Sequence, residues 1–196
     1  MKNWTIEKAY PYVLLVTGFL GLVASFILTY DKIMILKDPN FIPDCNINPI
    51  FSCGSVMSKP QAEVFGMPNT LFGIIAFSVI VTIAVAMLFG AKFKPLFWKL
   101  LFAGTLAGLA GVIYLFFQGI YRINAICPYC AMTWVVVVAL VVYTFVWNIK
   151  QKYMTVPKTF EQSAKFVVQN HIGVLVVIYL IILGLVLQHF WWYFGS

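Results

Sequence analysis

The stretch from Leu100 to Ile149, LLFAGTLAGLAGVIYLFFQGIYRINAICPYCAMTWVVVVALVVYTFVWNI, carries a single charge, Arg122, near its middle. A helix rises about 1.5 Å per residue and a hydrocarbon core is about 30 Å thick, so about 20 apolar residues cross it. The stretch is long enough for two crossings, and Arg122 with the polar residues after it marks the turn between them. The same test applied outward finds three more uncharged runs: between Lys8 and Asp31, from Val64 to Ala91, and from Phe166 to Ser196. Helices are expected near 12–30, 69–90, 99–121, 127–149 and 172–192. The expected fold is an all-α integral membrane protein with five transmembrane helices. Four form a bundle core, and a long loop follows the first. Residues 1–150 read as the four-helix catalytic domain, and 151–196 as a polar connector with the fifth helix.

Composition agrees. Hydrophobic residues make up 62% of the 196 and charged residues 10%, against about half and a quarter in soluble domains. A soluble globule of this size would leave large apolar patches in water, so the missing solvent is lipid. The first run is too long for a cleaved leader, and no small-residue cleavage site precedes Asp31. Basic residues set the orientation. With a cytoplasmic N-terminus, the inner segments hold Lys2, Lys8, Lys92, Lys94, Lys99, Lys150, Lys152, Lys158 and Lys165, and the outer ones hold Lys32, Lys37, Lys59 and Arg122. This predicts a multi-pass protein of the inner (plasma) membrane with its C-terminus outside. The net charge of +7 is thus a topology signal rather than a nucleic-acid stripe. Gly104, Gly108 and Gly111 read as a helix-packing face, with a homodimer seam the lesser reading and a monomer expected. The terminal HFWWYF reads as an interfacial aromatic belt. His171 and His189 have no carboxylate or cysteine near them in sequence and read as interfacial. Glu63 and Asp44 read as solvated loop charges.

The four cysteines fall in two groups, CNINPIFSC at 45–53 and CPYC at 127–130. The orientation derived from Lys and Arg places both on the extracytoplasmic side, where disulfides persist. Three residues along a helix rise about 4.5 Å, within disulfide range. Cys45 and Cys53 can pair only if their loop turns back, and Asn46, Asn48 and Pro49 provide turn chemistry. Both pairs are feasible intrachain bonds. Cys127 stands at a helix N-terminus, where a thiol ionises more readily, with Pro128 next. Arg122, a turn or two before, reads chiefly as an interfacial snorkelling charge, with added positive potential at the thiol the lesser reading. Cys130 lies one turn deeper, placed to face a lipid-soluble oxidant. Structural disulfides, a four-thiolate zinc site and haem attachment are the alternatives. The spacing is not a usual zinc pattern, and Ala131 stands where haem attachment requires His. A thiol–disulfide relay accounts for both pairs and their shared side. Two further readings stand beside it: a DsbB-type oxidoreductase, which carries its cysteine pairs in the opposite order, and a non-enzymatic scaffold with two structural disulfides.

The run CNINPIFSCGSVMSKPQAEVFGMPNTLFG, followed after one further helix by CPYC, resembles the vitamin K epoxide reductase (VKOR) family, specifically its bacterial homologues, over roughly Pro11 to Lys150. The resemblance implies that Cys45 is attacked by a reduced partner, that Cys53 passes electrons to Cys127, and that Cys130 is released as thiolate beside a quinone, menaquinone or ubiquinone. It implies that Asn69 hydrogen-bonds a quinone carbonyl and that Phe72 lines the pocket; an N-cap is the other reading of Asn69. Ser58 matches the family's serine site, with Lys59 where many members keep Ser or Thr. Trp134 stands where vertebrate members keep a tyrosine, which preserves stacking without the hydroxyl. Bacterial members often carry a thioredoxin-like domain after a fifth helix. With this chain ending at Ser196, the expected partner is a separate thioredoxin-like (DsbA-like) extracytoplasmic protein, and the expected direction is disulfide formation.

Overall fold

The computed structural model describes residues 6–38, 40–64 and 66–194. Lys2, counted in the charge balance, lies outside them. Among the described residues five helices are long and apolar enough to span a membrane: α1 (Ile6–Lys37), α3 (Asn69–Leu88), α4 (Pro95–Phe117, continued by a π-helical segment at Gln118–Ile123), α5 (Pro128–Lys150) and α7 (His171–His189). Between α1 and α3 lies a loop containing the one-turn helix α2 (Cys53–Met57) and a short hairpin, β1 (Glu63–Val64) with β2 (Met67–Pro68). Short α6 (Glu161–Gln169) joins α5 to α7, and α8 (Trp191–Phe194) follows α7. Pro95 and Pro128 sit in the first turns of α4 and α5, where a missing N–H costs nothing.

Helix α5 is the axis of the bundle, packed by α1, α4 and α7, while α3 packs on α1. The α1–α3 approach is close because small residues face it. A Cβ on Gly18 would stand 2.9 Å from Ile80 Cγ2, one on Gly21 would enter the Phe77 ring, and one on Gly73 would meet the Ser25 hydroxyl.

Two elements differ from the sequence expectation. Helix α1 continues to Lys37, because the charges that end its apolar run pack against the loop instead of stopping the helix: Asp31 is buried, and Lys32 pairs with Glu63 and donates to Met57 O. The end of the third span widens into the π segment, capped by Asn124 in the left-handed region at φ 56°. Asn tolerates that conformation better than most side chains. The turn folds Ala125 N–H back onto Gly119 O at 3.1 Å.

At the end of the bundle away from the cysteines, an aromatic and polar hub ties α1, α4 and α5 together. Tyr10 stacks on Trp147 with ring centroids 4.6 Å apart and donates to Thr144 Oγ1 at 3.0 Å. The Asn148 amide donates to Thr144 O at 2.9 Å and Trp98 O at 3.2 Å. Gln151 reaches Glu7 at 3.0 Å across the same end.

Candidate active site

The loop CNINPIFSC turns back on itself. The Asn48 carboxamide oxygen accepts from Ile50 N at 3.0 Å and Phe51 N at 2.7 Å, and Ile47 N donates to Phe51 O at 2.9 Å. Asn46 Oδ1 accepts from Gly54 N at 2.9 Å and lies 3.1 Å from the Ser52 hydroxyl. The turn brings the Cα atoms of Cys45 and Cys53 to 5.7 Å, and the two form a disulfide. Cys127 and Cys130 are free thiols.

What joins the two pairs is a parallel bridge. Phe51 pairs with Ile126, with Ser52 N donating to Ile126 O at 3.1 Å and Ile126 N to Ile50 O at 2.7 Å. Each strand then starts a helix. Ser52 caps α2, so Cys53 is its first residue; Cys127 itself caps α5, its sulfur accepting from Cys130 N at 3.4 Å. The register of the bridge leaves Cys127 Sγ 3.1 Å from Cys53 Sγ. Both are sealed from solvent, Cys53 at 0% and Cys127 at 1% exposure, and Cys45 is 6% exposed. The Cys127 thiol, just ahead of the first residue of α5, is held below its ordinary pKa chiefly by the hydrogen bond from the Cys130 thiol. Burial and the nearby Asp31 charge oppose this, while the Cys130 and Tyr129 backbone amides assist it. Arg122 is exposed and takes no part.

Behind Cys130 lies a cavity of about 530 Å³ walled by α1, α3, α4 and α5, a size that suits a small ring system. Its lining is largely apolar, and it includes Asn69, Phe72 and Trp134 together with Cys130. Asn69 opens α3, and the cap position before it belongs to Pro68 without a side-chain hydrogen bond, so the carboxamide is not spent on capping. Trp134 packs edge-on against Phe116 at 4.8 Å. Ser58 stands apart: it is exposed, ends α2, and donates only to Ser55 O at 3.3 Å.

Several features were not read from the sequence. Ser25, Thr70 and Thr133 add hydroxyls to the cavity wall; Thr29 and Thr70 hydrogen-bond across α1 and α3 at 2.7 Å. Gly104, Gly108 and Gly111 belong to this wall as well. A Cβ on Gly108 would touch Val137 at 3.9 Å, and on the other two it would meet nothing within 4 Å. They widen the cavity rather than admit a neighbouring helix. His189 is not a lone interfacial residue: it pairs with Asn124 Oδ1 at 2.8 Å and meets Tyr121 edge-on. Beside it, fully buried Phe190 packs in one cluster with Ile50, Ile126 and Trp134. Glu63 pairs with Lys32 at 3.3 Å. The signal for these partnerships is spatial, since their members lie far apart in the chain.

No curated protein sequence matches the chain. A family profile does, over residues 12–145, which include all four cysteines, the bridge between their segments and the cavity-lining Asn69, Phe72 and Trp134. The chain therefore belongs to the vitamin K epoxide reductase family.

Proposed function

We propose that this protein oxidises a thioredoxin-fold partner and passes the electrons to a membrane quinone, supporting disulfide formation in that partner and its clients. Members of its family are quinone-reducing thiol oxidoreductases. The observation that carries the reading is the 3.1 Å approach of Cys127 Sγ to the disulfide sulfur of Cys53, with Cys130 on the cavity wall behind it.

In the proposed relay a partner thiolate attacks Cys45, forming a mixed disulfide and releasing Cys53 as thiolate. The partner's second thiol then displaces Cys45. Cys53 attacks Cys127 of a Cys127–Cys130 disulfide, releasing Cys130 as thiolate at the cavity. Cys45 next displaces Cys127 from Cys53, which restores the loop disulfide and leaves the Cys127–Cys130 dithiol. That is the sulfur arrangement of the structure. A quinone takes up two electrons and two protons to become quinol, and the Cys127–Cys130 disulfide is regained.

The residues of the cavity fit such a substrate. Asn69 supplies an amide donor for a carbonyl oxygen that gains charge during reduction, and Phe72 and Trp134 supply ring faces. Ser58 is assigned no step. The proposed orientation has the cysteines on the extracytoplasmic side of the inner (plasma) membrane and the N-terminus in the cytoplasm. Lys92, Lys94, Lys99, Lys150 and Lys152 support it through the positive-inside rule.

Trapping tests the order of the relay. With Cys53→Ala, the free Cys45 thiol is expected to open the disulfide of an oxidised thioredoxin-fold protein and hold one of its sulfurs as a mixed disulfide while the other leaves as thiolate, read by non-reducing electrophoresis and peptide mass spectrometry. Capture only on Cys127 or Cys130 would overturn the order.

A further inference from the structure

Helix α1 carries Asp31 against the loop disulfide. The residue is 7% exposed, and its Oδ2 lies 3.9 Å from Cys45 Sγ. Among the described residues that sulfur is the one polar contact of the Asp31 side chain within hydrogen-bonding distance. A half-cystine has no proton, so in this state the contact is not a hydrogen bond. Among the described residues no cation compensates the carboxyl either. Neighbouring Lys32 is committed elsewhere, donating to Met57 O at 2.7 Å and pairing with Glu63 at 3.3 Å. The other ionisable groups that face Asp31 are Asp44 on the loop and Cys127 at the start of α5, neither of which is a cation. A buried carboxyl is costly without a donor. The donor arrives when Cys45 is a thiol, since an S–H on that atom points into reach of the carboxylate.

We propose that Asp31 is the general base for Cys45, an assignment that rests on the relay reading above. Cys45 must attack the Cys53 sulfur of the Cys53–Cys127 disulfide to release Cys127. As the Cys45–Cys53 bond forms, the thiol proton moves to the Asp31 carboxylate, the Cys53–Cys127 bond breaks, and Cys127 leaves as thiolate with the bonding pair. Cys45 is oxidised, Cys127 is reduced, and the proton rests on Asp31. In the reverse direction the same carboxylic acid protonates Cys45 as it leaves. Asp31 therefore touches a reacting atom in this exchange.

The test isolates that exchange from the quinone. Full-length Cys130→Ala protein in detergent cannot complete the second pair, and its three remaining cysteines interconvert between the Cys45–Cys53 and Cys53–Cys127 disulfides. After a pH jump, timed alkylation with N-ethylmaleimide followed by peptide mass spectrometry reads which of Cys45 and Cys127 is free. With Asp31 present, the exchange rate is expected to change less than about threefold between about pH 6 and pH 8. Adding Asp31→Asn is expected to slow it at least tenfold near pH 6, since general bases contribute about 10²–10⁴. That rate then rises about tenfold per pH unit and converges with the parent near the ordinary thiol pKa of about 8.5. Asp31→Glu is expected to keep the flat profile. A uniform slowing by Asp31→Asn with the pH profile unchanged overturns the proposal in favour of a structural role. So does a tenfold-per-unit rise in the protein that retains Asp31, a result needing no substitution at that position. Absence of exchange at every pH overturns the relay, and the base with it. Loss of quinone reduction in the native protein alongside a normal exchange profile touches the quinone reading alone.

Discussion

The two ends of the bundle both bury polar side chains, and they do so to opposite effect. At one end Tyr10, Thr144 and Asn148, all fully buried, are linked by hydrogen bonds to each other and to Trp98 O, inside a cluster of stacked and edge-on rings. These bonds hold one arrangement, although Asn148 Oδ1 and Trp147 Nε1 are buried there without a hydrogen-bond partner among the described residues. At the other end the sulfurs of the three buried cysteines lie close enough for exchange at Cys53, yet only one pair is bonded. A polar group with one partner is a clamp. A group with two competing partners is a switch, and in this protein the helices supply the stage for both.

Substitutions can break that contrast. The largest expected effect is Cys130→Ala, which should reduce thiol-driven quinone reduction to the uncatalysed background while shifting the melting temperature little, measured spectrophotometrically with a water-soluble naphthoquinone and by thermal unfolding in the same detergent. Retained turnover would place electron delivery elsewhere. Phe190→Ala should lower stability by about 3–5 kcal/mol, the range for emptying a buried aromatic site. It should also loosen the cysteine end first, read as faster hydrogen exchange at 124–130 than around the aromatic hub. Asn69→Ala is expected to cost about 10² in turnover, the range for losing a donor to developing oxyanion charge, with normal Cys45–Cys53 disulfide formation. Tyr10→Phe makes the converse case. It should cost about 1 kcal/mol of stability and leave quinone reduction unchanged.

The smallest effect concerns ionisation. Because the Cys130 thiol is the leading cause that depresses the Cys127 pKa, its loss should raise that pKa. In Cys130→Ala with Cys53 also replaced by Ala, iodoacetamide labelling of Cys127 should require a higher pH than in the Cys53→Ala parent. An unchanged midpoint would assign the depression to the helix-start amides alone.

How much of this was legible from residues alone divides along the same line. The spans were readable because lipid imposes a length and a lack of charge, conditions that each run satisfies independently. The turn in 45–53 was readable because Asn48 acts on its own neighbours. Asn69, Phe72 and Trp134 were named through the family motif and do share a cavity with Cys130. What remained hidden depends on pairs distant in sequence. The Phe51–Ile126 bridge, the His189–Asn124 contact and the Tyr10–Thr144 bond each join segments more than sixty residues apart. Asp31 was read as the charge that ends a span, since nothing local says that α1 continues and lays that carboxyl against Cys45. The glycines of α4 show a subtler limit. Small residues permit either close packing or open space, and only the position of α5 decides between them.

The bridge between Phe51 and Ile126 also bears on timing. Because it fixes the backbone immediately before Cys53 and Cys127, a change of partner between these two sulfurs asks for rotation about side-chain bonds rather than travel of a helix or a domain. Electron passage across this junction is then insulated from the viscosity and thickness of the surrounding bilayer. In the proposed relay, larger motions are asked for only at its two borders, where a redox partner docks and a quinone enters and leaves.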